Sequence, residues 1–230
     1  MTTLNFMVYP NLEKANCERF ENVKRLDAKN PPAGWEIFAT QESEQYFINA
    51  WNAHHWTTSY VWDKFIPVLF HRLGLKLNQT DFKKVELEWN GMDFSHHDPV
   101  EENRYKIQSF DNDCLMEGGF EVIRDIDLDN PWHNWSFYHQ MFRLAHRSGL
   151  VTNLTTKSER RIVFNTDSMS VPVIPILINY VKEILVVDVR QSGKKYGFGD
   201  MIKKMNPSAM VNLFFDVSYF DEKKNRQIEK

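Results

Sequence analysis

A chain of 230 residues with 42% hydrophobic and 14% aromatic side chains has ample material for one large core, which excludes a disordered chain. A net charge of −3 and a pI near 6.2 exclude the basic footprint of a nucleic-acid binder. Two cysteines, Cys17 and Cys114, exclude a disulfide framework, and no C-x-x-C pair offers zinc or redox chemistry. The first residues, MTTLNFMVYPNLEK, lack a basic stretch followed by a long apolar one, so no signal peptide is expected in this chain. No run approaches the roughly 20 apolar residues of a membrane span, so direct membrane insertion is not expected.

In chain order, Leu4 to Val8 reads as a short buried strand ended by Tyr9-Pro10-Asn11. Leu12 to Leu26 has helical spacing, with Asn11 as its cap. Asn30-Pro31-Pro32-Ala33-Gly34 is a loop, Trp35 to Ala39 a strand and Gln41 to Trp51 a helix. The first informative stretch is Asn52-Ala53-His54-His55-Trp56-Thr57-Thr58. Thr57 or Thr58 is a natural N-cap, so the histidines sit in a loop entering a helix. That helix runs over Tyr60 to Leu75, kinked or started late by Pro67 and closed by Gly74. Adjacent histidines in a loop face different ways, which makes one shared metal awkward.

From Gln79 to Asp129 the pattern turns to alternation, over Phe82 to Trp89, Tyr105 to Phe110 and Cys114 to Ile123. This reads as a β-rich insertion, about 79–130, on an α/β body. Ser95-His96-His97-Asp98 has the composition of a metal cluster, but no further ligand follows at zinc spacing, so no metal site is expected. The acidic run Asp125 to Asp129 lacks a calcium loop's glycine and spaced oxygens. Pro131 to Tyr138 is rich in rings. Trp132 and Trp135 are candidates to stack on sugar faces, although core packing is the commoner use. Phe142 to Leu150 reads as a helix end.

Arg160 to Arg190, RRIVFNTDSMSVPVIPILINYVKEILVVDVR, is the organising stretch. It gives a strand (Ile162-Val163-Phe164), an elbow (Asn165-Thr166-Asp167-Ser168), a helix starting near Pro172 and a second strand (Ile184 to Val187): a βαβ unit with parallel strands. Ligands of such sheets gather outside the carboxyl ends of the strands. The elbow and the charged pair Asp188 and Arg190 therefore define the candidate edge. A helix start beside Ser168 favours developing negative charge, while turn and capping bonds are the simpler use of Asp167 and Ser168. Gln191 to Gly199 has neither G-x-G-x-x-G nor a Walker pattern, which argues against a nucleotide site. Asp200 to Met205 is a short helix, Ala209 to Val217 a central parallel strand, and Asp221 to Lys230 a charged tail.

With both informative stretches in view, the chain resembles the SGNH-hydrolase-like proteins of the alginate O-acetylation type, including the bacterial DHHW-motif proteins. The likeness rests on Ala53-His54-His55-Trp56-Thr57, Thr166-Asp167-Ser168 and Asp188-Val189-Arg190, in that order. It implies an SGNH or flavodoxin-like α/β fold: a parallel sheet flanked by helices. It also implies Ser168 as nucleophile and His55 as general base; Trp56, Trp132 and Trp135 are the candidate substrate-binding residues. Asp167, His54, Asn52, Asp188 and Arg190 are supporting residues.

Two departures stand out. The family's acid falls on Ala53, so the motif is a degenerate A-H-H-W, and Met169-Ser170-Val171 replaces the aromatic-small-Asn that usually trails the serine. Loss of the acid in a serine protease costs ~10⁴ in rate. Asn52, His54 or Asp63 are the residues available as a substitute partner for the imidazole.

The resemblance thus implies an O-acetyltransferase or acetylesterase acting on a cell-surface polysaccharide. It would use no cofactor, a partner membrane protein would supply acetyl groups, and the setting would be the cell envelope or periplasm. The alternatives are a catalytically impaired relative that binds glycan or scaffolds a polysaccharide-modifying assembly, and an intracellular domain of unrelated chemistry on the same fold.

Overall fold

Strands buried on both faces read as unbroken apolar runs, and those runs become the middle of one sheet in the computed structural model. It describes residues 1–9, 30–39, 56–89, 92–110, 114–123, 148–188 and 197–215. The strands are β1 (Thr2–Tyr9), β2 (Glu36–Ala39), β3 (Phe82–Trp89), β4 (Met92–Pro99), β5 (Tyr105–Ser109), β6 (Cys114–Gly118), β7 (Gly149–Asn153), β8 (Arg161–Thr166), β9 (Glu183–Asp188) and β10 (Ala209–Phe215). Eight of them form a sheet in the order β2-β1-β10-β8-β9-β7-β5-β6. The first five are parallel. From β7 onward each strand runs antiparallel to its neighbour, so the expected parallel sheet is the larger part of a mixed one.

The β-rich stretch divides in two. β3 and β4 form a separate antiparallel pair, whereas β5 and β6 extend the main sheet. β4 and β7 were not anticipated as strands; the segment read as ending a helix at Leu150 enters β7 at Gly149.

One face of the sheet meets a rod of continuous helix that follows Trp56. Thr57 caps it, its hydroxyl accepting from the Tyr60 amide at 3.0 Å. The rod runs through α1 (Thr58–Tyr60), a wide turn (Val61–Phe65) and α2 (Ile66–Leu73). Pro67 has no N–H to donate and its ring crowds the carbonyl one turn back. The wide turn, in which the Ile66 amide reaches the Val61 carbonyl, admits it without breaking the rod. Gly74 ends the helix at φ 62°, a left-handed conformation that suits a residue without a Cβ. Arg160 completes the cap, its guanidinium donating to the Leu73 carbonyl at 2.6 Å.

Beneath the rod, Phe6, Phe38 and Phe65 meet edge to face at 5.0–5.9 Å, and Trp56 lies 4.9 Å from Phe65. Each such ring, fully buried, contributes about 1.5–3 kcal/mol. Between β8 and β9 the expected long helix is shorter than its spacing implied. Only α3 (Ile174–Leu177) is helical, with turns on either side. On the other face, α4 (Phe198–Met205) lays Phe198, Met201 and Ile202 over Val163, Leu185 and Phe110.

That second face also carries a polar ladder. Asn165, Asn212 and Asn5 are in register on β8, β10 and β1. Asn165 donates to Asn212 at 3.0 Å, Asn212 to Asn5 at 2.7 Å, and Asn5 to the Gly34 carbonyl at 3.3 Å. Among the described residues no helix is long and apolar enough to cross a membrane. The helices expected over 12–26 and 41–51, the acidic run 125–129, the ring-rich segment 131–138 and the loop 191–196 lie outside the described residues.

Candidate active site

β8 delivers the elbow. Asp167 caps a single 3₁₀ turn, Ser168–Ser170, at the carboxyl end of the strand. Its Oδ1 accepts from the Met169 amide at 2.9 Å and its Oδ2 from the Phe215 amide at 2.8 Å. One carboxylate thus ties the elbow to the end of β10. Thr166 lies inside the same knot, its hydroxyl within 2.7 Å of the Leu213 carbonyl and 3.0 Å of the Asp167 carbonyl. The Ser170 hydroxyl donates to the Asp167 carbonyl at 3.3 Å. Ser168 itself is 2% exposed, and no hydrogen bond holds its hydroxyl among the described residues. The capping role read for Asp167 is realised in this geometry.

The second informative stretch comes to the same place. Trp56 is fully buried, and its indole N–H donates to the Met169 carbonyl at 3.0 Å across 113 positions of sequence. The ring is packed into the core between Phe65 and Tyr60, which corrects its reading as a sugar-facing side chain. A buried indole needs a partner for its N–H, and here that partner is the residue after Ser168. Asp188 pairs in register with Thr166 on the neighbouring strand, is 2% exposed, and donates its amide to the Ser148 hydroxyl at 3.0 Å. Asn52, Ala53, His54, His55, Trp132, Trp135 and Arg190 lie outside the described residues. Asp63, a substitute considered for the acid, is exposed on the helical rod.

The Ser95 to Asp98 segment is strand β4, facing inward at alternate positions. His96 Nε2 lies 2.9 Å from Asp98 Oδ1, and both residues are buried. His97 stacks on Trp62 at 3.8 Å with the rings 5° from parallel. Burial pushes the His97 pKa down to about 4, with Asp63 pulling the other way. No group of three or more metal-ligating side chains occurs among the described residues. Two clefts of about 380 and 440 Å³ share Glu36 and Arg72, near the amino ends of β1 and β2 and the end of α2. They lie at the opposite end of the strands from Ser168.

The fold is that of two proteins of known structure. A DHHW family protein from Eubacterium siraeum superposes over 100% of this chain and 82% of its own, with a TM-score of 0.64 and 12% identity. Bacillus cereus PatB1, in structures with and without a sulfonyl adduct, superposes over 93% of this chain and 82% of its own, at a TM-score of 0.60 and 13% identity. No family model matches the chain. Among curated proteins, 156 residues are 27% identical to myosin type-2 heavy chain 1 of Schizosaccharomyces pombe, and the match spans 63% of this chain and about a tenth of that protein. The solved structures fix the architecture, and at these identities they carry no residue roles.

Proposed function

We propose that the chain is a serine esterase or O-acetyltransferase acting on a cell-surface glycan, with a degenerate A-H-H-W form of the DHHW motif. The observation that carries this reading is the Trp56–Met169 hydrogen bond. His55 is peptide-bonded to Trp56 and Ser168 to Met169, so one buried contact joins the two segments that hold the base and the nucleophile. The adduct in one PatB1 structure supports nucleophilic chemistry on this fold, since a sulfonyl group bonds covalently to an activated nucleophile.

In the proposed reaction the Ser168 oxygen attacks the acetyl carbonyl while His55 takes its proton. Backbone N–H groups at the elbow hold the oxyanion. The donor's oxygen leaves with the proton, and an acceptor hydroxyl or water then takes the acetyl group from the serine. Asp188 and Arg190 at the end of β9 and Asp167 beneath the elbow support the arrangement, and His54 or Asn52 orients the imidazole in place of the absent acid. Trp132 and Trp135 stack on the sugar, and a membrane protein serves as acetyl donor. No cofactor takes part.

The test is turnover of an acetyl ester by the wild-type chain and by Ser168→Ala and His55→Ala. Both substitutions are expected to abolish it, and full turnover by Ser168→Ala would overturn the proposal. A second reading, a catalytically silent relative that binds glycan or scaffolds an assembly, is favoured by Ala53 and by the near-complete burial of Ser168. It predicts no turnover by the wild type and retained glycan binding by Ser168→Ala.

A further inference from the structure

In the proposed reaction the His55 ring becomes a cation as it takes the proton of Ser168, and a triad faces that cation with a carboxylate. The motif position for it holds Ala53. His54 or Asn52 can orient the ring, but neither brings a negative charge. Three carboxylates are buried among the described residues: Asp98, Asp167 and Asp188. Asp98 belongs to the separate β3–β4 hairpin and lies against His96 at 2.9 Å. Asp167 has one oxygen on the Met169 amide and the other on the Phe215 amide, so it serves the elbow and β10. Asp188 stands at the carboxyl end of β9.

The alternation of β9 decides which way Asp188 points. Ile184 and Val186 lie in the core beneath the rod, and Leu185 and Val187 in the cluster under α4. Asp188 therefore projects on the rod's face, the face that also holds Trp56 and Met169. It is in register with Thr166 on the next strand, roughly 4.8 Å away, and Ser168 follows Thr166 by two residues. The Thr166 hydroxyl turns to the Leu213 carbonyl and Asp167 to the Phe215 amide, both on β10. These groups of the elbow lean away from β9, whose end carries Asp188. Ser148 fixes the backbone there: its hydroxyl accepts from the Asp188 amide and its carbonyl from the Phe110 amide, each at 3.0 Å. Holding a carboxylate at 2% exposure costs several kcal/mol, and a charge out of water acts over several ångströms because little solvent screens it. We propose that Asp188 supplies the negative charge that Ala53 cannot, as a positioning residue that stabilises the His55 imidazolium. The inference rests on the acyl-transfer reading and names the acid of that site. Asp188 stays ionised throughout: the proton passes from the Ser168 hydroxyl to the imidazole, and from the imidazolium to the departing oxygen.

Moving the charge separates this role from a structural one. The full chain, Asp188→Asn, Ala53→Asp and the double variant are compared in turnover of p-nitrophenyl acetate. Asp188→Asn is expected to lower kcat by up to ~10⁴, the loss a serine protease suffers without its acid, and to leave KM unchanged. Ala53→Asp returns a carboxylate to the motif position, and in the Asp188→Asn background it should restore most of kcat. In the otherwise wild-type chain, where the charge is already present, the same change should raise kcat less than about tenfold. A larger rise there would show that the wild type lacks such a charge and would overturn the proposal even where Asp188→Asn does not fold. Wild-type kcat in folded Asp188→Asn, or a loss that Ala53→Asp does not restore, would overturn it as well. Absence of Ser168-dependent turnover in the wild type would instead remove the acyl-transfer reading first, and the role of Asp188 with it.

Discussion

Asp167 binds two backbone amides, one in its own turn and one at the end of β10. An asparagine there offers a single acceptor oxygen, so Asp167→Asn leaves one buried N–H without a partner, at a cost of about 1–3 kcal/mol. Urea unfolding should show this as a lower midpoint with an unchanged slope. Trp56→Phe keeps most of the ring and deletes the bond to Met169. It should cost about 1 kcal/mol of stability, with a larger effect on the rate of acyl transfer if the tie positions His55. His97 gives the molecule a pH dependence of known sign. Its pKa is about 4 in the fold against an ordinary value near 6.5, so between those pH values the unfolded chain binds more protons. Stability is full above about pH 6.5 and falls as the pH drops toward 4. Thermal melts across that range should show the loss, and His97→Gln should flatten it.

At the scale of elements, the asparagine ladder fixes three parallel strands in one register. A slip of one residue would turn every side chain to the opposite face. Asn212 sits in the middle, accepting from one neighbour and donating to the other. Asn212→Ala should therefore cost about 2 kcal/mol, more than the loss of either end, as measured by the shift in denaturation midpoint. The parallel strands were legible because Ile162 to Phe164 and Ile184 to Val187 are unbroken apolar runs and Ala209 to Phe215 is apolar but for Asn212, the pattern of strands buried on both faces. The rod's cap and its glycine end were legible from local chemistry too, whereas the wide turn that admits Pro67 without the expected kink or late start was not. β4 was hidden because its inward positions are His96 and Asp98, which sequence patterns count as polar until each is seen to be the other's partner. β7 is only five residues long, opens with a glycine and alternates weakly, so nothing in Gly149–Asn153 announces a strand.

At the scale of the whole molecule, the sheet brings Trp56 and the Ser168 elbow together although 113 positions separate Trp56 from Met169. No local pattern encodes that meeting: it follows from the rod and the βαβ unit packing on one face of the same sheet. The order of the motifs along the chain pointed to the architecture, which the Eubacterium siraeum and Bacillus cereus structures share at 12–13% identity. The elbow's capping bonds could be read from Asp167 and Ser168 alone. The burial of Trp56 could not, because an indole in a motif looks the same in sequence whether it faces sugar or core.

The central claim is that Ser168 is an activated nucleophile, held beside its base by the tie between Trp56 and Met169. It is tested most directly by treating the intact chain with a fluorophosphonate and mapping the labelled peptide by mass spectrometry. The expected result is a single phosphonylated residue, Ser168, with labelling slowed by Trp56→Phe and lost in Ser168→Ala. A wild-type chain that takes up no label under conditions in which a serine esterase is fully modified, or that carries the label elsewhere, would contradict it.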